Sequence, residues 1–315
     1  MPRRENRMDR REKMLAGIDL TRSVGAEIGA LCNPLVTKDD GDIIYVDYAD
    51  ADSLRKHYAG NPSVDVDKIV ETDAIWGKQT LAETLKRPVD FIVASHVIEH
   101  VPDLITWLRE LRDALTADGQ VRLAIPDKRF TFDLLRRETE LSDVLDSYVT
   151  SARVPKPHAI LDYYLNATPV DPMAAWRGEL NESNVKRPNN FEPAMAMARD
   201  AAINGTYHDA HCWVFTPRSF ANLMEQLSAL ELVQFACDRF INTEFNTIEF
   251  FVSLRPETDT EKVVASWQRI ASEAREAVSV LPSHKVATLR ARASRALQNP
   301  LRAISSRLRG ARVAK

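Results

Sequence analysis

Between residues 23 and 125 the chain repeats one rhythm: a short apolar, β-rich run, a stop at a glycine or an acid, then a stretch with helical spacing. The strand candidates are Ser23 to Ile28, Ile43 to Val46, Lys68 to Glu71, Asp90 to Ala94 and Gln120 to Ile125. Between them lie helical stretches at Asp52 to Tyr58, closed by the breaker Asn61-Pro62, and at Thr80 to Lys86. The clearest helix is Leu104 to Leu115, with Leu104, Leu108, Leu111 and Leu115 three and four residues apart and Asp118-Gly119 as its stop. Strands that alternate with helices in this way pair in parallel and are covered on both faces, so the rhythm predicts an α/β fold.

The rhythm stops after the fifth run. From about Thr139 to Ala210 the chain has many Pro, Asn and aromatic residues and no strand candidate. So long a stretch is not a bare loop in a compact domain, and it reads as a helical insertion or lid. A helix returns at Thr216 to Leu227, with Thr216 as N-cap and Pro217 at the first helical position. Glu231 to Ala236 and Thr247 to Leu254 follow as two strands able to pair antiparallel. This divides the chain into a basic N-terminal segment and helix (1–20), a main domain (21–255, insertion about 139–210) and a helical basic C-terminal tail (256–315).

Composition removes several classes. No apolar run among the 315 residues approaches the roughly 18 needed to cross a bilayer, and the opening MPRRENRMDRREK has no apolar core of a secretory signal. Cys32, Cys212 and Cys237 are far apart and form no CxxC pair, so they read as reduced thiols. The net charge of -3 hides a tail, Lys285 to Lys315, with two Lys, seven Arg and no acid. Without that +9 the body carries -12, which speaks against a nucleic-acid partner. In the tail Val286, Leu289, Ala293 and Leu297, then Leu301, Ile304 and Leu308, share a face opposite the arginines. That is the pattern of a helix lying on an anionic membrane surface. The expected location is the cytoplasm, with peripheral contact at the inner face of the membrane.

The carboxyl ends of the strands carry the chemistry. Gly29 follows the first run, Asp47 ends the second and Asp73 follows the third, an order suited to a nucleoside-bearing cofactor. Three segments, Glu27-Ile28-Gly29-Ala30-Leu31-Cys32-Asn33-Pro34, Tyr45-Val46-Asp47 and Val89 to Asp103 (VDFIVASHVIEHVPD), resemble motifs of class I S-adenosylmethionine (SAM)-dependent methyltransferases. The likeness is greatest to a bacterial branch with Glu-Ile-Gly-Ala-Leu in its first motif, often found among surface-glycan genes. It implies a Rossmann-like seven-stranded sheet with a reversed last strand, SAM as cofactor, and a small-molecule or glycan acceptor. It also implies that Glu27, Gly29 and Ala30 shape the loop under the methionine moiety and that Asp47, followed by Tyr48, takes the ribose. Asp73 and Ala74 would face the adenine, and Ser95 and His96 would lie under the sulfonium. Here the usual Gly-x-Gly-x-Gly loop is reduced to Gly29.

If a hydroxyl accepts the methyl group, a base is needed, and histidine suits that task near neutral pH. His96 and His100 follow the fourth strand; His208 and His211 belong to a second cluster, Tyr207 to Trp213. That cluster reads as an acceptor pocket or as packing; its His and Asp also suit a base with its orienter or three ligands of a divalent metal, but the metal spacing is unspecific and no metal ligand is assigned. Lys128 and Arg129, after the fifth strand, suit either an anionic acceptor or a solvated turn. Tyr163, Tyr164 and Trp176 suit either sugar stacking or the core of the lid. Two other functions compete: an NAD-dependent oxidoreductase, disfavoured by the missing Gly-x-Gly-x-x-Gly, and a non-catalytic methyltransferase-like module near the membrane.

Overall fold

The structure, a computed structural model, describes residues 8–180 and 184–275. The basic stretch from Lys285 onward, with its membrane reading, lies outside the described residues. No helix among the described residues is long and apolar enough to cross a membrane.

Seven strands form one sheet in the order β3-β2-β1-β4-β5-β7-β6. They are β1 (Val24–Ile28), β2 (Asp42–Asp47), β3 (Ala74–Ile75), β4 (Val89–Ser95), β5 (Leu115–Pro126), β6 (Phe235–Ile241) and β7 (Glu249–Pro256). The first five run parallel, and β7 enters antiparallel between β5 and β6. In the register Ile28 faces both Val46 and Ala94, so the carboxyl ends of β1, β2 and β4 finish level. This is the expected α/β sheet with a reversed last strand.

The central strands read as continuous apolar runs because both faces are buried. Ile92 and Ala94 of β4 point into the larger core under α3 (Leu81–Leu85), α4 (Leu104–Asp113) and α9 (Pro217–Ala229). Phe91 and Val93 point the other way, against Leu35, Val36 and Tyr45 and against Met14 and Leu15 of α1 (Arg10–Leu15). α4 presents Leu104, Ile105, Leu108 and Leu111, all fully buried, and is started by Asp103, whose carboxylate accepts the Thr106 N–H. α9 is capped by Thr216 and Ser219, with Pro217 in its first turn. After β7, α10 (Thr260–Glu273) packs back on α9 and β6 through Val263, Trp267 and Ile270, so the region assigned to the tail begins with a helix of the core.

Three boundaries differ from expectation. The third strand is Ala74–Ile75, not Lys68 to Glu71, because Ile69 is buried with Cys32, Ala51 and Leu54 beneath α2 (Ala51–His57) while the Val70 N–H goes to the Leu31 carbonyl. Ile69 is thus buried, and Val70 half-buried, without joining the sheet. Leu115 pairs with Val89 and so opens β5 instead of closing α4. β6 starts at Phe235 because α9 continues to Ala229 and the chain turns through a left-handed Glu231 (φ 56°).

The insertion is helical, as its composition implies: α5 (Leu141–Val149), α6 (Pro157–Asn166), α7 (Pro172–Trp176) and α8 (Phe191–Asn204). α6 and α8 share a small core of Ile160, Ala198 and Ala201. α7 is tied down by Trp176, which stacks on Phe130 at 4.0 Å and donates its indole N–H to the Thr247 carbonyl.

One contact in the sheet leaves no tolerance. A Cβ at Gly25 would stand 2.1 Å from the ring of Phe91 on the neighbouring strand. Gly25→Ala is expected to destabilise the fold by about 1–3 kcal/mol, read from the urea midpoint. Gly25→Ala combined with Phe91→Leu should recover part of that loss, since the two positions share one space.

Candidate active site

The site is built where β1, β2 and β4 end together. Glu27, 3% exposed, accepts the backbone N–H groups of Leu35 and Val36 at 2.7 and 3.0 Å and so pins the loop that follows β1 to the strand. Burial raises its pKa, opposed by those two hydrogen bonds. Gly29 turns this loop with φ 69°, and a Cβ there would stand 3.0 Å from Val97 on the loop after β4. Leu31 occupies the second position of the Gly-x-Gly pattern and is also left-handed, at φ 48°. The reduced glycine loop thus keeps a glycine-like backbone at a leucine, whose side chain packs with Cys32 and Leu54. Ala30 is buried beneath the loop.

Asp47 stands at the end of β2, half-buried, in a shallow recess lined also by Ala30, Leu31, Val46 and Thr72. Its carboxylate accepts one hydrogen bond, from the Tyr48 N–H at 2.8 Å, and burial pushes its pKa up to about 6. Tyr48 itself is exposed. Asp73 is turned away: its carboxylate accepts from the Tyr45 N–H at 2.8 Å and pairs with Lys38 at 2.6 Å, while Ala74 extends β2's neighbour.

The loop after β4 holds the densest chemistry. Ser95 accepts a hydrogen bond from Arg10 of α1. His96 has φ 53°, an uncommon conformation for a side-chain-bearing residue, and its ring Nε2 lies 2.8 Å from Glu249 at the start of β7. Arg10 binds the same Glu249 at 2.7 Å. Burial disfavours the Glu249 charge, but the hydrogen bonds from His96 and Arg10 outweigh it and hold the carboxyl down at about 2. For His96 the balance is similar: burial disfavours its charged form, yet Glu249 and Glu99 raise its pKa overall.

The returning arm of the insertion is hydrogen-bonded along this loop. The N–H groups of Cys212 and Trp213 both point to the Glu99 carbonyl, at 2.6 and 3.3 Å, and the Trp213 indole donates to the Val101 carbonyl at 2.7 Å. This brings His211 to 4.6 Å from His100, ring to ring. His100 Nδ1 pairs with Asp209 at 2.8 Å, and His211 Nδ1 pairs with the buried Asp133 at 2.6 Å. Burial opposes the charged form of His100, but Asp209 and Glu99 raise its pKa. Asp209 also acts electrostatically on Tyr48 and Tyr58, so the arm stands opposite the loop after β2.

His96, His100 and His211 therefore converge, while His208 turns to Asp200 of α8 at 2.7 Å and stays in the insertion. Tyr163 stands 5.6 Å from the His211 ring, and the Tyr164 hydroxyl reaches the Asp209 carbonyl. Arg129 is neither free for an anion nor solvated: its guanidinium clasps the fully buried Asp127 at 2.6 Å. Lys128 donates to the Leu134 carbonyl. A larger concavity of about 560 Å³, bordered by Arg136, Lys156, His158 and Trp213, lies under the insertion and includes none of the strand ends. Asp133, Glu249 and Arg10 were not singled out in the sequence. Glu249 alone had a signal there, as an acid opening an otherwise apolar strand.

A family model described as "Methyltransferase domain" matches residues 23–228. The chain belongs to this family and is a SAM-dependent methyltransferase. No curated protein matches it. Among solved structures it is similar to the CcbJ methyltransferase from Streptomyces caelestis, at 11% identity over 78% of this chain and 94% of that one (TM-score 0.40). It is similar to DhpI solved with SAH, at 15% identity over 74% and 76% (TM-score 0.33). A chain named for Zn-dependent alcohol dehydrogenases, from Rhodobacter sphaeroides, aligns at 13% identity over 79% and 89% (TM-score 0.42).

The raised pKa of Asp47 makes a stability prediction. Above about pH 6 the carboxylate is ionised in a site that disfavours the charge, so Asp47→Asn should stabilise the protein at pH 7.5 by about 1–2 kcal/mol. The folded carboxyl binds its proton more tightly than the unfolded one, so this gain should shrink as pH falls from 6 toward the ordinary carboxylate range. Thermal unfolding of both proteins across that range checks the sign.

Proposed function

We propose that this methyltransferase acts on a hydroxyl oxygen of a small-molecule or glycan acceptor, with His96 as the base. The observation that carries the reading is the His96–Glu249 pair at the end of β4, one residue from the Val97 side chain that packs against Gly29. The glycan alternative rests on the resemblance of the first motif to a branch found among surface-glycan genes.

SAM supplies an electrophilic methyl group when bound. The residues present suit it: Asp47 has unused acceptor capacity in a shallow recess, and the loop fixed by Glu27 passes Gly29 and Ala30 close to the strand ends. In this reading Asp47 takes the ribose hydroxyls, with Tyr48 at the rim. The Ala74 backbone lies toward the adenine, while Asp73, engaged by Lys38, fixes β3 beside β2. Ser95, held by Arg10, and His96 lie toward the sulfonium.

Methyl transfer is an in-line displacement, so positioning matters most and the acceptor must shed one proton. An ionised Glu249 only accepts hydrogen bonds, so the Nε2 facing it carries the hydrogen, and in the neutral ring, the form that acts as base, Nδ1 keeps the lone pair. As the donor's methyl–sulfur bond gave way to the new C–O bond, leaving a neutral thioether, the hydroxyl proton would pass to Nδ1 of His96, with Glu249 stabilising the resulting imidazolium.

Calorimetric titration of SAM into the wild-type protein is expected to give micromolar affinity. That affinity should be lost in Asp47→Ala, and NAD should give no heat in either protein. SAM binding that survives Asp47→Ala would move the ribose elsewhere, and NAD binding would revive the oxidoreductase reading. With a hydroxyl acceptor in hand, His96→Asn should lower kcat by about 10²–10⁴-fold, a far larger change than any in SAM affinity, which the contact of His96 with the sulfonium side alters only modestly. An unchanged kcat would remove His96 as the base.

A further inference from the structure

We propose that Glu99, His100 and His211 form the binding site of one first-row divalent cation with open coordination positions for an acceptor oxygen; the acceptor part rests on the methyl-transfer reading and the cation part does not. The starting point is Glu99. Its side chain is 1% exposed, and neither carboxylate oxygen has a hydrogen-bond partner. A carboxylate is rarely left buried in that state, because nothing replaces the water it has lost.

What surrounds it is a set of imidazoles. Glu99 Oε1 lies 3.6 Å from His96 Nδ1 and 4.0 Å from His100 Nε2, too far for good hydrogen bonds. One ligand atom from each of Glu99, His100 and His211 falls within 4.8 Å of the others. A tetrahedral ion with bonds of about 2.1 Å spaces its donors about 3.4 Å apart, so a modest inward movement of these side chains closes the site.

The ring orientations favour ligation. Nδ1 of His100 and of His211 each faces a carboxylate, Asp209 and Asp133, and a neutral ring that donates there keeps its lone pair on Nε2. Carboxylates placed behind imidazoles in this way orient metal-binding histidines and raise their basicity. Asp133 is itself braced by Arg136 at 2.9 Å, and the same guanidinium holds the His211 carbonyl at 2.8 Å. If the histidines served only to neutralise Glu99, their N–H groups would point at it. Neutral rings that give Nδ1–H to Asp209 and Asp133 turn lone pairs, and not N–H groups, toward the centre of the cluster, which is the state a cation selects.

Two imidazoles and one carboxylate form a donor set suited to zinc and its first-row neighbours, and three protein ligands leave coordination positions open. The cation would offset the carboxylates of Glu99, Asp133, Asp209 and Glu249 and leave His96 outside the ligand set as the base. An acceptor hydroxyl held at an open position would become more acidic.

The test uses the full-length protein after chelator treatment and dialysis. Calorimetric titration with Zn²⁺, and separately with Mn²⁺, should give one equivalent of each, with zinc the tighter. Glu99→Gln and His211→Ala should abolish binding. Asp133→Asn should weaken it by about 10–100-fold, and His158→Ala, on the exposed side of α6, should leave it unchanged. Enhanced water-proton relaxation with Mn²⁺ should show that coordination positions are open; its absence would make the ion purely structural. The cation site is overturned if the wild-type protein binds neither ion stoichiometrically, a result independent of how the variants fold. It is equally overturned if binding persists in folded Glu99→Gln and His211→Ala proteins. SAM titration runs beside these: cation binding without SAM binding would sink the methyl-transfer reading alone, and SAM binding without cation binding would sink this proposal alone.

Discussion

β4 loses nearly all contact with water on both faces, and most of the molecule is arranged to make that possible. Phe91 and Val93 need α1 and the loop after β1 on one side; Ile92 and Ala94 need α3, α4 and α9 on the other. Such burial is favourable only if every backbone group finds a partner, which β1 and β5 supply in parallel register. The cost appears at the carboxyl end, where the chain must leave the sheet abruptly. It does so through His96, with a backbone conformation that side chains seldom adopt, and strain of this kind persists only where the surroundings determine it.

Those surroundings are charged. Three imidazoles meet at the exit, each with a carboxylate from a different part of the chain: Glu249 from β7, Asp209 from the returning insertion and Asp133 from the segment after β5. Arg10 reaches the same place from the N-terminal helix. Long-range pairing of this sort orders side chains more firmly than local hydrogen bonds would, because each partner is fixed by separate packing. The site is therefore part of the tertiary structure, and neighbouring residues in sequence contribute to it unequally. His208 and His211, three residues apart, face different partners.

Much of the fold was legible because local physics and tertiary structure agree there. Burial on both faces makes β1, β2, β4 and β5 read as apolar runs, α4 carries a clean leucine stripe, and Thr216-Pro217 marks a helix start. The failures have a common cause. Ile69 and Val70 look like strand residues because they are apolar and β-branched, yet Ile69 is buried by packing under α2 and Val70 is half-buried against the core around Leu35 and Tyr45. What was legible of the candidate site is position at the strand ends: Gly29 and His96 directly follow β1 and β4, and Asp47 ends β2. Asp133 was not legible, since only the folded chain places it behind His211, and the basic turn at Lys128-Arg129 gave no sign that Asp127 would take up its charge.

The hydrogen bonds that lay Cys212 and Trp213 along Glu99 have a consequence for how such an enzyme can diverge. An insertion joined to its domain at two loose ends could be exchanged as a cassette, with new acceptors following from new lids. Here the residues that return from the insertion also line the histidine cluster, and the graft line would run through that cluster itself. Divergence is then channelled into the parts of α6 and α8 that stand away from the seam, such as Met197, because Tyr163 and Tyr164 themselves touch His211 and Asp209.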